Sequence, residues 1–261
     1  MILNTGDLRI SISPGHGGKI TEIYDHKFAR NLLVAQDAGN DLPLPDGAVF
    51  SITGWDEAVP TVETSLGIPE LGYAWRMSAD CRVDGDHLLS QWQLPGWRVE
   101  RDIQTHGRGL TVDYIITNLL DQPASLLWAA HVLFAVQGIE RVELPAGELL
   151  PGPQCDTDAL AHRLSGDASG WHIRDIADRG TSWKFFLANR QPVSLVFDEA
   201  TVEITGDMRY WGIWINEGLF GPPCLGIEPT NAPSDALADS RTIVEAGAAF
   251  TASWKLQIRS K

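Results

Sequence analysis

Apolar and polar residues alternate with a period of two along much of this chain. From residue 110 the run L-T-V-D-Y-I-I-T sets Leu110, Val112, Tyr114 and Ile116 on one side. Near the end, Phe250, Ala252, Trp254, Leu256 and Ile258 alternate with Thr251, Ser253, Lys255, Gln257 and Arg259. Successive side chains on a strand point to opposite faces, so each run predicts a half-buried strand. Shorter runs of the same kind occupy residues 8–12, 88–94, 97–103, 193–197 and 202–204. Between them stand Pro14-Gly15, Asp84-Gly85, Pro95-Gly96, Gly107, Gly109, Pro151-Gly152-Pro153 and Gly221-Pro222-Pro223, which supply the fixed or positive φ that reversals need. Strands at roughly ten-residue spacing, with almost no helical period between them, predict an all-β sandwich or barrel. A single short helix is expected near residues 234–238. No flexible linker, internal repeat or low-complexity tract interrupts the pattern, so residues 1–261 are expected to fold as one domain.

Two runs differ from the rest. Residues 125–136, S-L-L-W-A-A-H-V-L-F-A-V, are apolar on both faces, which predicts a central strand covered above and below. Residues 224–231, C-L-G-I-E-P-T-N, form a short apolar run in which Pro229 follows Glu228. A residue before proline is biased to extended geometry, so Glu228 is expected to close a strand as it leaves the sheet. His131 is costly to bury unless its nitrogens are bonded; it reads either as a core histidine satisfied by carbonyls or as a functional group. Glu228 reads either as a solvated strand end or as a buried carboxylate with a partner. Together they would supply a proton acceptor and a proton donor, although Glu228 comes 97 residues after His131 and spacing alone cannot bring them together.

Composition narrows the partners. The net charge is −14, from 20 Lys and Arg against 34 Asp and Glu, and no basic run breaks the acidic background. Nucleic acid and anionic membranes are excluded as partners, since both are held by clustered cations. A neutral small molecule, or one held by one or two local arginines, fits better. Cys81, Cys155 and Cys224 give neither a disulfide framework nor a C-x-x-C pattern. The first residues lack the basic start and apolar stretch of a secretory leader, and no apolar run is long enough to span a bilayer. A reducing cytoplasm is the expected location, and pairing with a second copy stays open. No G-x-S-x-G elbow, H-E-x-x-H, Walker loop or dinucleotide fingerprint occurs, so no metal, nucleotide or other cofactor is implied.

Four segments, in order, resemble the aldose 1-epimerase, or galactose mutarotase-like, family. P-G-H-G-G-K-I-T-E-I (residues 14–23) with R-N-L-L (30–33) is similar to the family's opening hairpin, and G-W-D-E-A-V-P-T-V (54–62) resembles a segment of one bacterial branch. L-L-W-A-A-H-V-L-F-A (126–135), followed by R-V-E-L-P-A (141–146), resembles the strand carrying the family's acid histidine. G-I-E-P-T-N-A-P-S-D-A-L (226–237) resembles the segment carrying its glutamate base. The resemblance implies a large antiparallel β-sandwich, the family's supersandwich, and an isomerase that interconverts the α and β anomers of an aldose. Glu228 would take the proton of the anomeric hydroxyl while His131 protonates the ring oxygen.

By the same resemblance, Asp56 and Glu57 would raise the pKa of His131 or bind sugar hydroxyls; without it they read equally as a solvated turn. The branch's D-H-G-x-x-W segment is E-L-G-Y-A-W here (residues 70–75), so Leu71 stands where a second site histidine is expected. Arg76 reads either as a surface ion-pair partner or as a donor that replaces that histidine or holds an anionic sugar. Ten tryptophans offer faces for stacking on pyranoses. Trp75 and Trp211 are the candidates; Trp211 and Trp214 must face opposite sides of their strand, so one of the two packs in the core. The remaining histidines, His16, His26, His87, His106, His162 and His172, sit singly in polar or turn-like surroundings and are expected to be structural. Two other readings compete: a carbohydrate-binding or regulatory protein without turnover, which Leu71 favours, and a cupin-like metal enzyme, which would need an H-x-H hairpin that the chain lacks.

Overall fold

In the computed structural model, which describes residues 1–36, 41–153, 164–167 and 170–261, the alternating runs become antiparallel strands whose apolar sides face one another. Among the described residues, two ten-stranded sheets carry the architecture. The first runs from Ile2–Asn4 through Leu8–Ser13, Lys19–Asp25, Trp55–Ala58, Ala129–Ala135, Cys224–Thr230, Tyr210–Glu217 and Thr181–Ala188 to Glu148–Pro151, with Arg30–Asn31 pairing beside Lys19–Asp25. The second contains Gly109–Asn118 and Ala249–Ser260, paired to each other with Val112 opposite Trp254. Its next strand, Trp97–His106, lies on the other side of Gly109–Asn118. The fold is all-β. Helix is confined to short 3-10 turns such as Ala74–Arg76 and Leu237–Asp239 among the described residues. No helix among them is long and apolar enough to cross a membrane.

The helix expected over residues 234–238 is therefore absent as such. Ser234 explains part of the difference: its Oγ accepts from the Ala236 N–H and donates to the Asp239 carboxylate. A hydroxyl that satisfies the backbone locally competes with helical hydrogen bonds. Cys155 and His162, weighed above, lie outside the described residues.

Six tryptophans, Trp55, Trp92, Trp97, Trp128, Trp211 and Trp254, fill the space between the sheets together with their aliphatic neighbours. Trp55 and Trp254 meet across it at 4.9 Å between ring centroids. Into this apolar layer the fold puts one ion pair. Arg101, from the strand Trp97–His106, donates from Nη1 to Glu57 Oε1 at 2.8 Å and from Nη2 to the Gly18 carbonyl at 2.7 Å. Its guanidinium lies over the rings of Trp55 and Trp92, at 4.9 and 5.0 Å. Glu57 completes its shell with the Tyr114 hydroxyl at 2.9 Å and the Trp128 Nε1–H at 3.3 Å. Both side chains are fully removed from solvent, a state a charge tolerates only when paired and hydrogen-bonded.

The strand Ala129–Ala135 is central, as its two apolar faces predict. Ala130, Val132 and Phe134 point into the tryptophan-rich layer, and Ala129 and Leu133 into a second, smaller apolar cluster on the outer face of the first sheet. That outer cluster, with Phe50, Ile52, Val62 and Leu71 in it, surrounds His131.

Arg101→Met strands the Glu57 charge among tryptophans, and the expected loss in urea unfolding is about 3–5 kcal/mol. Adding Glu57→Leu to it restores most of that loss, because the stranded charge goes with it. Equal stability of the single and double variants contradicts this account.

Candidate functional site

Strand register builds the site. Trp55–Ala58 pairs with Ala129–Ala135 so that Asp56 stands opposite His131. On the other edge Ala129 stands opposite Thr230 and Leu133 opposite Gly226, which brings His131 across from Glu228. Glu228 in turn faces Gly212, and Gly212 faces Phe186. Directly opposed residues of antiparallel strands share a face. Asp56, His131 and Glu228 therefore form one row across the outer face of the first sheet.

In that row His131 Nε2 lies 3.6 Å from Glu228 Oε1. This is longer than a hydrogen bond, and Glu228 Oε1 and His131 Nδ1 are both buried without a hydrogen-bond partner. The second carboxylate oxygen is engaged: Lys184 Nζ donates to Glu228 Oε2 at 2.8 Å and pairs with Asp235 Oδ1 at 2.9 Å. Lys184 comes from the strand Thr181–Ala188, opposite Trp214. Glycine makes room for the carboxylate. A Cβ on Gly226 would lie 2.9 Å from Glu228 Oε1 and 3.1 Å from the Trp214 Cβ, and one on Gly212 would lie 3.1 Å from Glu228 Oε2.

Of this row His131 lines a cavity of about 190 Å³, together with Lys184, Asp235, Glu63 and Glu70 and with Phe50, Leu71 and Trp214 among other apolar groups; Glu228 lies behind that lining, against His131 and Lys184. Phe50 and Trp214 flank the imidazole with ring centroids at 5.7 and 6.0 Å. A larger cleft of about 860 Å³ opens beside it and shares Glu63 and Pro153 with it. Among the described residues no group of three His, Cys, Asp or Glu side chains is arranged to hold a metal ion.

The site's electrostatics follow from burial and from two lysines. Burial lowers the pKa of His131; Glu228 pulls it back up, but Lys184 and Lys19 add to the lowering, and the net direction is down. Burial works against the Glu228 anion, yet Lys184 and His131 outweigh it and hold the carboxyl below its ordinary value. Lys184 is held above the ordinary lysine value: burial opposes its charge, and the Asp235 and Glu228 carboxylates overcome the penalty. A lysine so held is a permanent cation rather than a nucleophile. At neutral pH the site thus carries a neutral imidazole beside an ionised carboxylate.

Several expectations change here. The pKa of His131 is not raised by neighbouring carboxylates, because the charge of Asp56 is taken up by Lys19 at 2.8 Å, and burial outweighs Glu228. Glu57 faces the inter-sheet layer and cannot reach a ligand in the cavity. Trp211 is fully buried in the same layer, so Trp214 and not Trp211 is the tryptophan of that strand that lines the cavity. Arg76 does not line it either; it pairs with Asp46 at 2.6 Å and lies over the Trp75 ring. Trp75 acts from behind, edge-on to Phe50 at 5.1 Å between centroids. Glu228 stands inside the strand Cys224–Thr230 rather than at its exit. The extended bias before a proline suits a strand interior as well as its end, and Pro229 is accommodated opposite Trp211. Leu71 does line the cavity, with φ at +58°, a conformation uncommon for a leucine.

No protein-family model matches the chain, and no curated protein sequence does. Solved structures do. The Slr1438 protein of Synechocystis sp. PCC 6803 superposes with a TM-score of 0.75 at 16% identity, over 100% of this chain and 96% of that one. A galactose mutarotase related enzyme from Lactobacillus acidophilus gives 0.74 at 13% identity, over 100% and 97%. A galactose mutarotase-like protein from Lactobacillus casei gives 0.73 at 13%, over 99% of each chain. The chain has the galactose mutarotase-like fold. At such identities the likeness is one of architecture, and the site has to be argued from its own residues.

Within this galactose mutarotase-like sandwich, Lys184, Asp235, Gly212 and Gly226 are the site residues that pattern reading passed over. A lysine on an alternating strand reads as a solvated position, and a strand glycine as a bulge. The segment 226–237 held the one available signal, since it contains Asp235 seven residues after Glu228.

Gly226→Ala crowds Glu228 without backbone strain. Its expected cost in thermal or urea unfolding is about 1–3 kcal/mol. A fully stable Gly226→Ala variant means that the carboxylate does not depend on that space.

Proposed function

We propose that the protein is an aldose 1-epimerase, using Glu228 and His131 as the acid–base pair that opens and recloses a sugar ring. The observation that carries the reading is the 3.6 Å approach of His131 Nε2 to Glu228 Oε1 beside the cavity that His131 lines, with each group keeping an unbonded polar atom. The anomeric carbon bears two oxygens, so an acid and a base a few ångströms apart can address both at once. Glu228 Oε1 accepts the proton of the anomeric hydroxyl, the bond from C1 to the ring oxygen breaks, and His131 donates a proton to that oxygen. Rotation about C1–C2 in the open aldehyde, then closure with the roles reversed, gives the other anomer. Lys184 acts as a positioning residue: by holding Oε2 it leaves Oε1 to accept the proton. Phe50 and Trp214 offer apolar faces to the C–H side of a pyranose. The substrate is a small molecule, the reaction needs no cofactor, and the proposed setting is the cytoplasm.

A second reading, carbohydrate binding without turnover, is favoured by two observations: Leu71 offers no donor to the cavity, and Lys184 makes Glu228 a weaker base. Polarimetry and NMR saturation transfer on glucose and galactose anomers separate the readings. An epimerase accelerates exchange, and Glu228→Gln or His131→Asn then lowers kcat by about 10²–10⁴-fold. A wild-type protein that binds sugar and leaves the exchange rate at its value in buffer is a binder.

The pH profile gives an independent check. Turnover needs one proton on the His131–Glu228 pair, and both groups titrate below their ordinary values. A plot of kcat/KM against pH is expected to be bell-shaped with its maximum below about pH 6.5, the ordinary imidazole value. The rate falls toward neutrality as His131 loses its proton and falls in acid as Glu228 gains one. Activity that keeps rising through pH 8 contradicts the assignment.

A further inference from the structure

The charges around the cavity do not balance. Among the described residues, three cations stand near it, and each already has a carboxylate: Lys19 pairs with Asp56, Arg76 with Asp46, and Lys184 with both Glu228 and Asp235. Lys184 therefore offsets one of the two negative charges it touches. Glu63 and Glu70 also line the cavity, and neither has a cation within salt-bridge distance among the described residues. The surplus is negative, in a chain that is itself at −14.

The acidic rim is held in place by backbone. The Glu63 N–H donates to the Asp235 carbonyl at 2.8 Å, and the Leu71 N–H, next to Glu70, donates to the Val62 carbonyl at 2.7 Å. The Glu70 carbonyl accepts the Trp75 indole N–H at 3.2 Å. The three carboxylates are thus carried by segments tied to one another. Glu70 registers the crowding: its pKa is raised by burial first and then by the charges of Glu63, Asp46 and Asp235, which together outweigh the opposing pull of Arg76. Next to this rim, His131 lines the cavity with its buried Nδ1 unbonded, a polar group that a ligand there would meet, and Glu228 Oε1, also unbonded, lies 3.6 Å behind its Nε2.

We propose that the cavity selects an amino sugar, a pyranose bearing a protonated amine, over its uncharged counterparts, and that it rejects sugar phosphates and uronates. The inference rests on the epimerase reading and adds the substrate class to it. An ammonium supplies the missing positive charge at a rim of fixed carboxylates, and a cleft lined by one sign of charge concentrates ligands of the other. A phosphate or uronate meets the same surplus as repulsion.

Anomer exchange is measured by NMR for glucosamine, N-acetylglucosamine, glucose and glucose 6-phosphate, each corrected for its uncatalysed rate. N-acetylglucosamine keeps the substituent and removes the charge. Glucosamine is expected to exceed glucose and N-acetylglucosamine in kcat/KM by about tenfold or more, the lower end of what a charged cleft achieves. Glucose 6-phosphate is expected to fall below glucose by a similar factor. The glucosamine preference shrinks in high salt and in Glu63→Gln/Glu70→Gln. Equal rates for glucosamine and glucose, or a preference for glucose 6-phosphate, overturn the charge inference and leave the epimerase reading intact. Acceleration of none of the four removes the epimerase reading; quenching of tryptophan fluorescence by the same sugars then decides the charge preference, with tighter binding of glucosamine in support and equal or tighter binding of glucose 6-phosphate against.

Discussion

A carboxylate and a guanidinium, both taken out of water, join the two sheets of this protein at the centre of its apolar layer. Glu57 and Arg101 are tolerated there because most of their hydrogen-bonding capacity is met: Tyr114 and Trp128 donate to the carboxylate, the Gly18 carbonyl accepts from the guanidinium, and only the Arg101 Nε–H is left without a partner. Their importance for function lies in where Glu57 is attached. It belongs to the strand Trp55–Ala58, which pairs along its edge with the strand that carries His131. Fixing Glu57 from below fixes that edge, and with it the position of the imidazole relative to Glu228.

His131, Glu228 and Lys184 show how a buried site reaches a definite protonation state through its own side-chain charges. Burial alone would neutralise both the imidazole and the carboxyl. Lys184 changes the outcome for the carboxyl and reinforces it for the imidazole, so the two groups are driven to different states by one neighbour. Lys184 is itself sustained by two carboxylates, Glu228 and Asp235. Each member of this group needs the others in order to stay charged at its depth.

Much of the architecture could be read from alternation. The strands Gly109–Asn118 and Ala249–Ser260 each have one wet face, and their period-two pattern survives folding unchanged. The central place of Ala129–Ala135 was equally visible in its unbroken apolar run. What alternation left open was which face is which. Trp211 and Trp214 had to point to opposite sides, as did Asp56 and Glu57, yet the first sheet has an apolar cluster on both of its sides. A pattern of apolar and polar letters does not distinguish two buried faces. Lys184 was hidden for a related reason: its charge suggested solvent, and only the packing of three distant strands reveals that its partners are carboxylates. The direction of the His131 shift was out of reach as well, because it is a difference between burial and several charges set by the fold.

Asp56 and Glu57 are neighbours in the chain, carry the same kind of group, and belong to different parts of the molecule. The pleat sends one to the outer face of the first sheet, beside His131 and against Lys19, and the other into the joint between the sheets. This single peptide unit therefore separates two selective pressures. The outer position answers to Lys19 and the imidazole beside it, while the adjacent position answers to the tryptophans and arginine beneath it. Descendants of such a sequence could change their chemistry at one letter and keep their architecture at the next.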